Sequence, residues 1–331
     1  NKSVKIVAHS MGGLVVRSFI QNHAATWKRI TDRPDYRVIF LGSPFGGSYL
    51  IPEIMVGSGG RIKQMAGMDL IHEKDELLKV FNKYDGLFNL LPIDATQHDF
   101  ADMATWKKIK ENFTSFDWPL PTASTVNNFK QFKEEINNFD IGIYSDKNII
   151  YIAGKSDKTT NGFYYKTHSA DGDTLTFTET PYGDGSVTWA TGIPAEIKNG
   201  DRVYYVRVGH GDLANEPDIF PGIADLLNTG ITSKLSKTPP VKRGEPEVQD
   251  KREQLMEDTT FDNFENVMVG SVATGEAEET FTLPINIILK CGDLKYAAHP
   301  ILVGHLKSDG IMSAEAVVDA YFDNMLSRRL A

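Results

Sequence analysis

The chain has 331 residues, of which 41% are hydrophobic and 24% are charged, as in an ordinary soluble globular protein. Its formal net charge of −9 argues against general nucleic-acid binding, and no apolar run approaches the ~20 residues that a membrane span requires. A single cysteine, Cys291, excludes an intrachain disulfide framework and suits a reducing compartment, so we expect a cytoplasmic protein. No Cys/His pair has the spacing of metal ligands and there is no phosphate loop, so we expect no cofactor.

Residues 4–20 have the layout of a nucleophile elbow, the strand–turn–helix segment that presents a catalytic serine. The β-branched run Val4–Ala8 predicts a buried strand, Ser10 lies in a turn of small residues, and residues 14–20 have helical periodicity. A serine in such a turn has a strained backbone and an exposed Oγ. The backbone N–H of Met11 would then donate to an oxyanion. The alternative is an ordinary strand–helix junction that contains a serine.

Further elements are predicted in chain order after this segment. Apolar runs predict strands at 36–41, 148–153 and 201–208, and a hairpin at 162–182 that turns at Asp171-Gly172. Amphipathic stretches at 74–84, 104–112 and 126–138 predict a helical cap over 51–145, and residues 219–227 predict another helix. Residues 236–258 are rich in Pro, Lys and Glu and predict a linker. Residues 259–331 have the pattern of an incomplete additional α/β unit.

A nucleophilic serine needs a histidine base and an acid that orients it, and both are expected at the ends of later core strands. Of the eight histidines, His210 directly follows the strand VYYVRV on a glycine-flanked turn. Two aspartates compete as the acid. Asp157 directly follows the strand NIIYIAG, whereas Asp184 lies in a Gly-Asp-Gly loop that lets a carboxylate reach inward, and we favour Asp184. Either aspartate has an alternative role in capping a turn.

These residues lie in motifs that resemble the lipase and acyltransferase branch of the α/β hydrolases typified by lecithin–cholesterol acyltransferase. The motifs are AHSMGG at 8–13, IFLGSPFGGS at 39–48, GDGSV at 183–187 and GHGDL at 209–213. The resemblance implies the triad Ser10, Asp184 and His210 and an ester of a lipid or small molecule as substrate. The sequence departs from the pattern at Ala8, where the consensus has glycine. The family's second oxyanion donor comes from a loop upstream of the elbow.

The expected fold is an α/β-hydrolase domain over 1–235, with a doubly wound, mostly parallel sheet and the helical cap. In such a sheet the elbow strand is central, and a buried parallel strand needs neighbours on both sides. We therefore expect upstream residues or another chain to complete the sheet. The segment after residue 258 resembles regions that follow such hydrolases in large multidomain bacterial proteins.

Phe45 and apolar residues of the predicted cap are candidates for an acyl-binding wall. The cap residues are Phe88, Leu90 and Leu91. The alternative is that the apolar residues of the cap form its own core. The sequence thus predicts a serine ester hydrolase, with an acyltransferase that uses the same triad, or a non-catalytic scaffold or sensor module, as alternatives.

Overall fold

The computed structural model describes residues 3–58, 62, 74–94, 96–114, 117–167, 174–241 and 247–251. The strands of this part of the chain form two separate sheets. The strands are β1 (Lys5–His9), β2 (Arg37–Leu41), β3 (Ile149–Gly154), β4 (Thr159–Tyr165), β5 (Leu175–Thr180), β6 (Val203–Val206) and β7 (Gln249–Asp250).

The larger sheet has the order β1-β2-β3-β6, and all its neighbouring strands are parallel. Side chains alternate between its faces, so that Val38 and Phe40 pack into one core cluster while Ile39 and Leu41 pack into another. Both sets are buried because helices cover both faces, which explains why the central strands are apolar throughout. The predicted α/β fold with a mostly parallel sheet is confirmed.

The α-helices of the described residues are mostly short. They are α1 (Gly12–Asn22), α2 (Ala24–Thr31), α3 (Leu50–Met55), α4 (Lys74–Phe81), α5 (Asp85–Phe88), α6 (Met103–Asn112), α7 (Ala123–Asn137), α8 (Trp189–Gly192), α9 (Ala195–Asn199) and α10 (Phe220–Thr229). Helix α1 packs Leu14 and Ile20 against one face of the sheet, and α10 packs Ile223 and Leu226 against the other. None of the described helices has the length and apolar character needed to cross a bilayer.

The cap has an apolar core of its own, separate from the two clusters on the sheet. Phe88, Trp106 and Phe129 have no exposed surface there, and Phe163 and Phe177 of the antiparallel β4–β5 pair join the same cluster. Residues of this hairpin, which follows β3 in the chain, thus pack with residues of the predicted cap over 51–145, and the bounds of that cap stay a prediction. The turn of that hairpin, Asp171-Gly172, lies outside the described residues.

The elbow strand β1 lies at the border of the described sheet. It pairs with β2 alone among the described residues, and Val4 and Val7 are 38% and 47% exposed. These two valines are therefore not buried within the described residues, where β1 has one neighbouring strand. The expectation that further strands complete the sheet stays a prediction.

The predicted linker over 236–258 also differs from the structure. Its residues 249 and 250 form β7, which pairs with β5, and Lys251 Nζ makes an ion pair with Glu53 Oε1 at 2.6 Å. The pairing of β7 with β5 gives backbone N–H and C=O groups hydrogen-bond partners, whereas in a free linker these groups would bind water. The rest of the tail, with Cys291 and the predicted additional unit at 259–331, lies outside the described residues.

Candidate active site

Ser10 follows β1 in a backbone conformation that is rare for a residue with a side chain. Its φ of 54° lies in the left-handed region, which costs roughly 1–3 kcal/mol, and its N–H donates to the carbonyl of Leu41 at 2.9 Å. The turn also needs Gly13, because a Cβ there would lie 2.4 Å from the hydroxyl oxygen of Ser43. These constraints hold the Ser10 side chain at the carboxyl end of the strand.

Ser10 is the first of three polar side chains in a hydrogen-bonded row. His210 Nε2 lies 2.8 Å from Ser10 Oγ, and His210 Nδ1 lies 2.8 Å from Asp184 Oδ2. Asp184 and His210 are only 2% and 6% exposed. With its Nδ1–H donated to the carboxylate, the neutral imidazole presents the Nε2 lone pair to the serine hydroxyl. The structure thus brings together the serine, acid and histidine that the sequence selected.

Asp184 is held by the loop that contains it. Its second oxygen, Oδ1, accepts hydrogen bonds from the backbone N–H groups of Ser186 at 3.0 Å and Val187 at 2.7 Å. The N–H of His210 donates to the Asp184 carbonyl at 2.8 Å, which ties the two loops together. These bonds fix the carboxylate before any substrate binds. The competing candidate, Asp157, is exposed to solvent.

Two positions beside this row can hold only glycine without a steric clash, and neither was predicted from the sequence. A Cβ at Gly42 would lie 2.6 Å from Asp184 Oδ2 and 3.1 Å from His210 Nδ1, and the φ of Gly42 is +55°. A Cβ at Gly154 would lie 2.4 Å from the Val208 carbonyl and 2.8 Å from Asp184 Cβ. Both glycines end a core strand or directly follow one, a position that could have identified them.

His9 also contacts the row, although it directly precedes Ser10 in the chain. Its Nε2–H donates to the carbonyl oxygen of His210 at 2.7 Å, and the two imidazole rings are 5.0 Å apart. Burial lowers the pKa of His9 below its ordinary value of 6.5, and the neighbouring His210 lowers it further. His9 therefore stays neutral at pH 7 and acts on His210 through its backbone.

The backbone N–H of Met11 lies at the start of helix α1, whose first residue is Gly12. No hydrogen-bond acceptor for this N–H is found in the part of the chain that the structure describes. The positive end of the α1 dipole faces the same turn. A free N–H beside Ser10 has the chemistry of an oxyanion donor, and that role stays a prediction.

Comparison with known proteins finds a family model that the first part of the chain resembles. Residues 1–146 of the 331 match the family model of lecithin:cholesterol acyltransferase. This segment is lipase- and acyltransferase-like. The predicted resemblance is confirmed over it, and the match indicates an enzyme that hydrolyses carboxylic esters or transfers their acyl groups.

Two further comparisons add little to this assignment. No curated protein matches the sequence. Among solved structures, the mature form of the Bacillus licheniformis lipase BlEst2 matches with 17% sequence identity and a TM-score of 0.34. That match covers 69% of this chain and 66% of the lipase, so the chain spans about two thirds of the lipase's length.

The residues predicted to bind the acyl group occupy different environments. Phe88 and Leu91 have no exposed surface and belong to the core of the cap, which is the alternative that the sequence left open. Phe45 is 6% exposed and packs its ring on Phe40 and Tyr144. Leu90 is half-buried and contacts both the cap cluster and one sheet cluster. Among these four, Leu90 has the most surface to offer a ligand.

No group of three or more His, Cys, Asp or Glu side chains suited to a metal ion lies within the described ranges. The polar groups described at the candidate site include those of the row, His9 and backbone N–H groups. Such a set can move a proton and stabilise a developing negative charge.

Proposed function

We propose that this protein is a serine ester hydrolase in which Ser10, His210 and Asp184 form the catalytic triad. Ser10 Oγ attacks the acyl carbonyl, and His210 takes the hydroxyl proton and passes it to the leaving alcohol. Water then hydrolyses the acyl-enzyme with His210 as the base. Asp184 keeps the proton on His210 Nδ1 and stabilises the imidazolium that forms.

The observation that carries the proposal is the continuous row Ser10–His210–Asp184, with both contacts at 2.8 Å and Ser10 at a positive φ. Hydrogen bonds of this kind occur in many structures, but a serine held in a strained turn at the end of a parallel strand is specific to nucleophile elbows. The family match over residues 1–146 supports the same reaction class.

The backbone N–H of Met11 is our candidate oxyanion donor. It adjoins the nucleophile and has no acceptor in the described part of the chain. A single donor of this kind contributes about 10²–10³ in turnover, so a second donor should be sought in residues that the structure does not describe. The substrate class that fits the proposal is an ester with an apolar acyl chain, and Leu90 is the wall residue that we favour.

Acyl transfer to an alcohol would use the same three residues. It differs from hydrolysis only in whether an alcohol or water attacks the acyl-enzyme. Product analysis in the presence of an added alcohol separates the two: a dominant new ester indicates a transferase, and free acid indicates a hydrolase. The remaining alternative is a scaffold or sensor module that has the fold without the chemistry.

Labelling with a fluorophosphonate probe tests the proposal directly. The folded full-length protein should be labelled at Ser10, and Ser10→Ala should abolish labelling. Ser18→Ala is a matched control because Ser18 is exposed on helix α1, outside the row. Absence of labelling in folded wild-type protein would favour the scaffold alternative. Labelling that persists in the Ser10→Ala variant would exclude Ser10 as the nucleophile.

A further inference from the structure

A small cavity lies beside helix α1, and none of the three residues of the catalytic row lines it. Its volume is about 240 Å³, and helix α1, the loop after β2, the 3₁₀ helix Ile141–Ser145 and helices α8 and α9 contribute to its walls. We call it the Arg17 cavity. Arg17 lies on helix α1, seven residues after Ser10 in the chain.

Arg17 is a buried cation that is only partly hydrogen-bonded. Its side chain is 5% exposed, Nη1 donates to the Phe45 carbonyl at 3.0 Å, and the guanidinium faces the rings of Phe45 and Phe132. Its Nη2 has no hydrogen-bond partner in the described part of the chain. An arginine keeps its charge in a protein, so the unpartnered N–H groups cannot be removed by deprotonation. They need an acceptor.

Tyr144 supplies a second unpartnered donor on the same cavity. Its side chain is 3% exposed and its hydroxyl lacks a hydrogen-bond partner among the described residues. Buried polar groups nearly always have partners, because leaving one unpaired is costly. Two such groups beside one cavity leave hydrogen-bonding capacity for acceptor oxygens, which water or a ligand would supply.

The other walls define the rest of that ligand. Ile136, Phe139 and Ile193 line the cavity and suit an apolar group. Glu196 lines it as well, and its carboxylate repels anions more strongly the higher their charge, so among anions a singly charged one suits the cavity best. A volume of about 240 Å³ lies below the ~300–1,000 Å³ of sites for drug-sized ligands, so the cavity suits a smaller molecule.

We propose that the Arg17 cavity binds a small monocarboxylate with a short apolar tail. The carboxylate accepts hydrogen bonds from Arg17 Nη2 and the Tyr144 hydroxyl, and the tail packs on the apolar walls. The planar fork of a guanidinium matches a carboxylate better than a neutral acceptor does. Phe45, a candidate acyl-binding residue, also lines the cavity, but none of the three residues of the row does, so the proposal does not require ester hydrolysis.

Calorimetric titration with hexanoate tests this site. We would use the full-length Ser10→Ala variant, so that turnover at the proposed catalytic site cannot complicate binding. Hexanoate should bind at one site, Arg17→Met should weaken binding by tenfold or more, and Tyr144→Phe should weaken it severalfold. Arg29→Met is the matched control because Arg29 is exposed on helix α2, and it should bind hexanoate as the parent does.

Several results would overturn the proposal. Absence of hexanoate binding, or binding that Arg17→Met leaves unchanged, would remove Arg17 from any carboxylate site. Equal binding of hexanol would show that the cavity selects only an apolar group, and tighter Arg17-dependent binding of inorganic phosphate would show that it takes a different anion. If Arg17→Met does not fold, Arg17→Lys and Tyr144→Phe keep the test decisive, because both retain a large side chain and remove donor groups.

Discussion

The catalytic row and the Arg17 cavity are both buried polar regions, and they differ in how completely their groups are partnered. In the row, both Asp184 oxygens accept hydrogen bonds and both His210 ring nitrogens have partners. In the cavity, Arg17 Nη2 and the Tyr144 hydroxyl have none among the described residues. Side chains whose polar atoms all have hydrogen-bond partners hold the fixed geometry that catalysis requires. Side chains with unpartnered donors can instead form hydrogen bonds to a bound molecule.

The largest expected effect tests whether the catalytic row hydrolyses esters. Ser10→Ala should reduce turnover of p-nitrophenyl esters on the order of 10⁶-fold, because it removes the attacking oxygen. The midpoint of thermal unfolding should change by only a few degrees, since the variant loses one hydroxyl and keeps the fold. Steady-state kinetics and calorimetry measure both. Esterase activity that persists in the pure variant would assign the nucleophile elsewhere.

The next effect concerns the orientation of the base. Asp184→Asn should reduce turnover by about 10⁴-fold, because an amide N–H facing His210 favours the tautomer that cannot accept the Ser10 proton. Asp157→Asn is the control and should change turnover little, since Asp157 is exposed. The kinetics of the two variants decide between the aspartates. The reverse ranking would move the acid to Asp157.

A smaller effect tests how rigidly the row is held. Gly42→Ala should lower turnover by up to about 10²-fold and destabilise the fold by ~1–3 kcal/mol, since the new Cβ strains the backbone and displaces Asp184 or His210. Gly86→Ala is the control because nothing lies within 4 Å of a Cβ there. Chemical denaturation and kinetics measure the difference. Equal behaviour of the two variants would show that the row tolerates displacement.

The smallest effect concerns His9, whose pKa is lowered by burial and by His210, with Asp184 acting in the opposite direction. As the pH falls below about 6.5, the unfolded chain takes up a proton on His9 before the folded protein does. The wild type should therefore lose stability relative to His9→Asn, which keeps a donor for the His210 carbonyl. Unfolding free energies between pH 8 and pH 5 measure this. Parallel pH profiles would contradict it.

The local pattern of the chain predicts much of the fold. The runs around β2, β3 and β6 are apolar because both faces of the parallel sheet are covered there, and this signal is contained in each run. The elbow around Ser10 is equally local. His210 was selected by its place after a strand, and Asp184 by its glycine-flanked loop.

Contacts between distant segments were not predictable. Phe163 joins the cap although it follows β3, and residues 249 and 250 pair with β5 although their composition resembles a linker. Strand pairing and core membership depend on which segments meet in space, and no periodicity within a segment records that. The exposed faces of Val4 and Val7 likewise depend on a neighbour and not on the strand's own sequence.

By itself, the sequence determined the parallel α/β core, the elbow at Ser10 and the candidates for acid and base, because each follows from residue types over a few neighbouring positions. Only the tertiary structure decided that Asp184 and not Asp157 is the neighbour of His210. It also explains why glycine is needed at positions 42 and 154, and it places the unpartnered donors of Arg17 and Tyr144 beside one cavity. These features depend on distances between residues that lie far apart in the chain. Hydrogen bonding and steric exclusion act over a few ångströms, so folding has to bring the residues together before either can operate.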